Sequence, residues 1–149
     1  MTTRTLRIGF LAVFGLLLAI QLVPYRMSNP PVRQEPAWIS DESRALVVRA
    51  CFDCHSNETR IPWYGKIAPI SWWTTNHVKE GRSALNFSEW DRLQRRDELA
   101  EVVQEGSMPP NYYTWLGEHP DAKLSPAERD AVLAQLRALE SPSGDRGRG

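Results

Sequence analysis

Excess charge of one sign, strand-like alternation and cysteine are what this sequence is short of. Its 18 Lys and Arg offset 18 Asp and Glu, for a formal net charge of zero. Neither sign dominates a long block, so the basic stripe that a nucleic-acid partner requires is missing. No convincing run alternates apolar and polar residues, which argues against a sheet and for an all-α domain. Only one long apolar run occurs, near the N-terminus, so at most one membrane span is expected.

What is there turns on the scarce residues. The two cysteines stand in Cys51-Phe52-Asp53-Cys54-His55, and none is left over. Two cysteines three apart with a histidine next would arise by chance on the order of once in 4,000 such compositions. The pattern is the attachment signature of c-type haem: each thiol adds to one vinyl group, and the following imidazole ligates the iron. Other chemistries fit less well. A redox dithiol wants a βαβ setting, absent around residue 51. Zinc wants about four ligands, and His77 and His119 do not form a second close pair. A plain disulfide does not need His55. One covalent haem c, held by Cys51 and Cys54, is therefore expected. Six tryptophans suit a pocket for a flat cofactor and an ordinary core equally well.

Arg4 and Arg7 precede the apolar run Ile8 to Val23, which Pro24 closes. The run is long for a signal sequence, slightly short for a full span, and ends without a small-x-small cleavage site. The reading is an uncleaved single-pass anchor over residues 1–24, with a cleaved signal as the alternative. The arginines favour a cytoplasmic N-terminus and an exported remainder. That agrees with haem c, which is assembled outside the bacterial inner membrane, on the periplasmic side. Residues 25–37, with prolines at 30, 31 and 36, read as a semi-stiff spacer lifting the domain off the membrane. The haem domain spans 38–140, and 141–149, without large apolar residues, reads as a frayed tail.

Within the domain, Ser40 is a candidate N-cap for a helix that delivers its C-terminal end into the cysteine motif. Residues 56–68 read as a loop. Pro69 suits the first position of a second helix, with Gly81 as its stop. A third helical stretch is expected from Ser88 through Trp90, Leu93, Leu99, Val102 and Val103 to Gly106, with Arg95 to Glu98 on a solvated face. Ser125-Pro126-Ala127-Glu128 is a capping box opening a last helix, whose stripe is Val132, Leu133, Leu136 and Leu139.

Met108, in Gly106-Ser107-Met108-Pro109-Pro110, is the only methionine of the expected domain. It is the candidate sixth ligand to iron, the thioether opposite His55 raising the reduction potential. The prolines restrict its loop. His77 and His119 are the less favoured alternatives: the first suits a helix C-terminus, the second an exposed loop.

The order of helix, CxxCH, methionine followed by prolines, and terminal helix resembles class I cytochromes c. That likeness implies first and last helices packed beside the haem, although the aromatic insert between His55 and Met108 is longer than usual there. More specifically, Cys51 to Thr59, Pro62-Trp63-Tyr64, Ala68 to Trp72 and Leu85 to Trp90 resemble the bacterial haem-binding domain family, over roughly Ile39 to Leu139. The resemblance implies covalent haem and leaves the physiological partner open. The function expected is electron transfer, not enzymatic, with a redox protein as partner. The rivals are a peroxidase-like haem enzyme or a haem sensor with an open or labile sixth position, for which His77 is the acid–base candidate, and a haem-bearing subunit of a membrane complex.

Overall fold

The computed structural model describes residues 2–115 and 119–140, and the expected tail 141–149 lies outside them. Six α-helices follow one another among the described residues: α1 (Thr3–Ile20), α2 (Asp41–His55), α3 (Ile70–Ala84), α4 (Leu99–Gln104), α5 (Asn111–Trp115) and α6 (Pro126–Glu140). Two short 3₁₀ turns, Trp63–Lys66 and Pro120–Ala122, punctuate the loops. No strand is present among these residues, only an isolated bridge between Gln34 and Glu89. The chain is all-α, as expected.

The helix ends follow local chemistry. Ser40 caps α2, accepting from the Ser43 amide while the Ser43 hydroxyl accepts from the Ser40 amide, and Asp41 and Glu42 sit in the positive first turn. The capping box of α6 forms: the Glu128 amide donates to the Ser125 hydroxyl, and the Ser125 amide to the Glu128 carboxylate. α2 packs against α3 and α6, and α6 also against α4. Leu46 and Val47 from α2, Leu99 and Val103 from α4, and the α6 stripe of Val132, Leu133, Leu136 and Leu139 form the core. Phe52 and Phe87 stack within it at 5.6 Å between ring centroids, with Trp38 beside both.

Three expectations change. The third helix is only α4, because residues 88–98 give their backbone groups to other segments: the Ser88 carbonyl accepts from the Arg33 and Gln34 amides, and the Trp90 amide donates to the Gln34 carbonyl. α3 starts one residue after Pro69 and runs past Gly81 to Ala84. The proline-rich segment is not a free spacer. It is a strap along the domain, held by Asn29 Nδ2 donating to the Thr59 carbonyl at 2.9 Å, Arg82 donating to the Ser28 carbonyl at 2.7 Å, and Glu35 pairing with Arg44 at 2.6 Å.

α1 stands apart from this core. None of its residues is buried within the chain, and its mean hydropathy is 1.7 over 18 residues. By length and composition it can cross a membrane, a test that a signal sequence also passes.

Candidate haem site

A helix turns about 100° per residue, so positions i, i+3 and i+4 share a face. In the last turn of α2 that rule sorts the motif. Cys51, Cys54 and His55 line one cavity, Phe52 enters the core, and Asp53 faces a polar cluster. The cavity measures about 530 Å³, within the usual range for small-molecule sites. Its walls are largely apolar, from Gly81, Ala84 and Leu85 at the end of α3, Phe87, Leu99, Val102 and Val103, and Leu136 of α6, and the charged Glu80, Arg95, Asp97 and Glu98 line it as well.

Gly81 makes this wall possible. A Cβ there would lie 2.5 Å from the Cys54 carbonyl oxygen, so only glycine lets α3 pass this close to the motif. The expected helix stop is thus a close-approach position. The His55 ring is oriented by the residue that caps α3: its Nδ1 lies 3.1 Å from the Leu85 carbonyl. A carbonyl can only accept, so the ring donates from Nδ1 and leaves Nε2 unprotonated, the tautomer a metal-ligating imidazole requires, and the Gly81 carbonyl is a second acceptor beside the ring. Burial pushes the His55 pKa down, which keeps the ring neutral. Burial also pushes the Cys51 thiol up to about 12 and the Cys54 thiol to about 11. A redox dithiol needs the opposite shift. The two cysteines form no disulfide.

A buried polar network closes this end of α2. The Asn57 amide donates to the Ser88 hydroxyl at 2.9 Å, Asn86 Nδ2 donates to Asn57 Oδ1 at 2.9 Å, and the Ser88 amide returns to Asn86 Oδ1 at 2.9 Å. The Phe87 amide donates to the His55 carbonyl at 2.8 Å. Arg82 donates to the Ser56 carbonyl at 2.6 Å, tying α3 to the same turn. These residues carry no metal-ligating chemistry, and nothing in their spacing announced that they meet.

Met108 is delivered by the end of α4. Gly106 takes φ +79°; its amide donates to the Val103 carbonyl, while the Ser107 and Met108 amides both reach the Val102 carbonyl. This Schellman-type turn sends Met108, Pro109 and Pro110 across the cavity, where all three join the lining. Of the two alternatives, His77 lines the cavity too, its ring 4.3 Å from that of Trp73. His119 does not. It stacks on Tyr113 at 4.1 Å and borders a neighbouring cavity of about 380 Å³. There Asp53 accepts from the Arg60 amide at 2.9 Å and from the Tyr113 hydroxyl at 2.7 Å. Burial and that carboxylate push the Tyr113 pKa up. Among the described residues no group of three or more His, Cys, Asp or Glu converges on a metal-sized point.

An all-helical domain whose paired thiols, neutral imidazole and thioether border one largely apolar cavity has the donor set and the walls that a haem requires. Residues 15–138 match the family described as haem-binding domain, and the chain belongs to that family. It is a haem-binding protein. Comparison with curated proteins and with solved structures finds no match.

Proposed function

We propose that the protein is a single-haem c-type electron carrier, held by α1 in the bacterial inner membrane with its domain on the periplasmic side. The observation that carries the reading is the presence of Cys51, Cys54, His55 and Met108 around one cavity. Haem, when bound, supplies an iron centre that changes oxidation state by one electron. Cys51 and Cys54 would hold it as thioethers, His55 Nε2 would ligate the iron, and Met108 would take the opposite position. The Leu85 carbonyl keeps the imidazole in one tautomer and one orientation, so little reorganises when charge changes. With His55 and Met108 both engaged there would be no place for peroxide or oxygen, so the protein is read as a carrier for a redox partner protein rather than an enzyme. An anchor is favoured over a cleaved signal by the hydrogen bonds between Gln21 and Ala68, at 3.0 Å in both directions: a segment cut away after export makes no lasting bonds to the mature domain.

His77 on the same cavity supports the second reading, a haem enzyme or sensor in which Met108 is off the iron. Both readings share the covalent attachment, and the state of the sixth ligand separates them. Haem staining after denaturing electrophoresis should mark a band at the chain mass, and acid–organic extraction should leave the haem attached. The ferric spectrum should show the weak long-wavelength band of sulfur ligation, and carbon monoxide should bind slowly or not at all. Met108→Ala should admit carbon monoxide readily and lower the potential, within the range of about 0.8 V that axial ligands span. Rapid carbon monoxide binding by the wild type, with a potential indifferent to Met108→Ala, would give the second reading the lead.

A further inference from the structure

We propose that the face formed by Trp63, Ile67, Ile70 and Trp73 lies in the headgroup layer of the bilayer that α1 crosses, so that the domain is seated on the membrane. The inference rests on reading α1 as an anchor. Four large apolar side chains are exposed here in one short stretch of chain: Trp63 at 75 %, Ile67 at 45 %, Ile70 at 44 % and Trp73 at 51 %. Ala68, between the two isoleucines, is gripped by Gln21, whose side-chain amide donates to its carbonyl and accepts from its amide.

The length of α1 sets where that grip falls. Eighteen residues at 1.5 Å each make roughly 27 Å, close to the ~30 Å of a hydrocarbon core, with Arg4 and Arg7 of the first two turns reaching back to the cytoplasmic headgroups. If α1 spans the core, its last residue, Ile20, stands at the interface and Gln21 is level with the headgroups. Whatever Gln21 grips stands there too. The chain then has no slack with which to lift away. Tyr25 hydrogen-bonds to Asn76, the Lys79 ammonium sits 4.1 Å from the Tyr25 ring centroid, and Arg82 holds Ser28 and Asn29. These partners climb α3 by successive turns, away from the Ile70 end. The N-terminal end of α3 and the 3₁₀ turn before it are therefore the membrane-proximal part. Their composition suits that level: tryptophans and isoleucines beside Lys66, the mixture found where a protein crosses the headgroup region.

The test uses the full chain in phosphatidylcholine vesicles doped with a phospholipid carrying a diazirine near its glycerol backbone. After irradiation and digestion, mass spectrometry should find label in α1 and in the segment 63–73, and little at Leu93, which is 99 % exposed but lies outside the patch. Gln21→Ala should keep the label in α1 and weaken it in 63–73. The double change Trp63→Glu and Ile67→Glu should do the same with an unaltered haem spectrum, which shows that the domain still folds. Label in α1 without label in 63–73 overturns this inference and leaves the anchor standing. Label at Leu93 as strong as in 63–73, or chain-to-chain cross-links through Trp63 and Trp73 in place of lipid, also overturns it. Absence of label from α1 overturns the anchor reading and this inference with it.

Discussion

Replacing Gly81 by alanine sets helix propensity against packing, and the structure decides the winner. In the interior of an open helix the change would stabilise by about 1 kcal/mol. Here the new Cβ would meet the Cys54 carbonyl oxygen at 2.5 Å and the Cys54 Cβ at 3.3 Å. Both the glycine and the nearest atom are backbone, so no rotamer change relieves the overlap, and α3 must move off α2. Overpacking costs about 1–3 kcal/mol; rigid partners put this case near 3, for a net loss of about 2 kcal/mol. In a domain of about 100 residues each kcal/mol moves Tm by about 4–8 °C, so a fall of about 8–16 °C is expected. Thermal unfolding of the full chain in detergent, followed by far-UV circular dichroism, measures it. Gly15→Ala, with nothing within 4 Å, is the control. Because the Leu85 amide donates to the Gly81 carbonyl at 2.9 Å, a displaced α3 also carries away the acceptor of His55 Nδ1. A changed haem spectrum should accompany the fall. A Tm raised by a few degrees, as propensity alone would give, refutes the close approach of the two helices.

Three further changes probe the supports around the site. Gln135→Leu should cost about 2–4 kcal/mol in chemical denaturation, since the buried side-chain amide accepts from the Ile39 amide at 2.7 Å and donates to the Ala37 carbonyl at 3.2 Å, groups that leucine would strand, whereas the Ser43 hydroxyl keeps the Ser40 carbonyl; a neutral outcome would mean that the stranded groups find other partners. Tyr113→Phe should cost about 1.5 kcal/mol, the low end for a bond to a charged acceptor, because Arg60 remains paired with Asp53; equal stability of the variant and wild type would show the bond to be idle. Glu35 has its pKa lowered, chiefly by the hydrogen bonds from Arg44. Its folded pKa lies below its unfolded value of about 4.3, so its contribution is full above that pH and is lost as pH falls through the folded value. Glu35→Gln should flatten this part of the acid limb of stability, and an unchanged limb would contradict the pairing.

Periodicity and end signals made the core helices legible. Ser40, Ser125 and Glu128 cap where their chemistry says, and the α6 stripe is buried as its spacing requires. The motif Cys51 to His55 was legible because helical geometry alone puts its three functional residues on one face. What stayed hidden depends on partners distant in sequence. Residues 88–98 have helix-compatible composition, yet at their start the Ser88 carbonyl and the Trp90 amide are taken by Arg33 and Gln34 of the strap. Gly81 looks like a terminator because a sequence does not show that another backbone crosses there. Gln135 sits in a polar gap of the α6 stripe and becomes a core residue only because Ala37, Ile39 and Ser43 bring it partners. The prolines of 25–37 signal stiffness, whereas a segment poor in amide donors can still serve through its carbonyls, as Ser28 and Pro31 do.

The segments Asn57 to Thr59 and Asn86 to Trp90 hold no residue that lines the haem cavity except Phe87. Asn57, Asn86 and Ser88 bond to one another, Asn57 Nδ2 donates to the Pro31 carbonyl at 3.1 Å, and the Ser88 carbonyl accepts from Arg33 and Gln34. Three stretches of chain, the strap, the end of α2 and the loop after α3, are locked at a single buried point. Leu85 lies one residue before that lock and Phe87 inside it, so the acceptor of His55 Nδ1 and the donor to the His55 carbonyl are fixed together. Any exposed helix end can carry two cysteines and a histidine at this spacing. To hold that histidine in one tautomer, with a free Nε2 facing a largely apolar cavity, requires an acceptor that does not move. Buried polar groups that are fully paired supply such rigidity, at a cost that a half-satisfied set could not offset. The asparagines and the serine are thus explained as the outer support of an imidazole that they never contact.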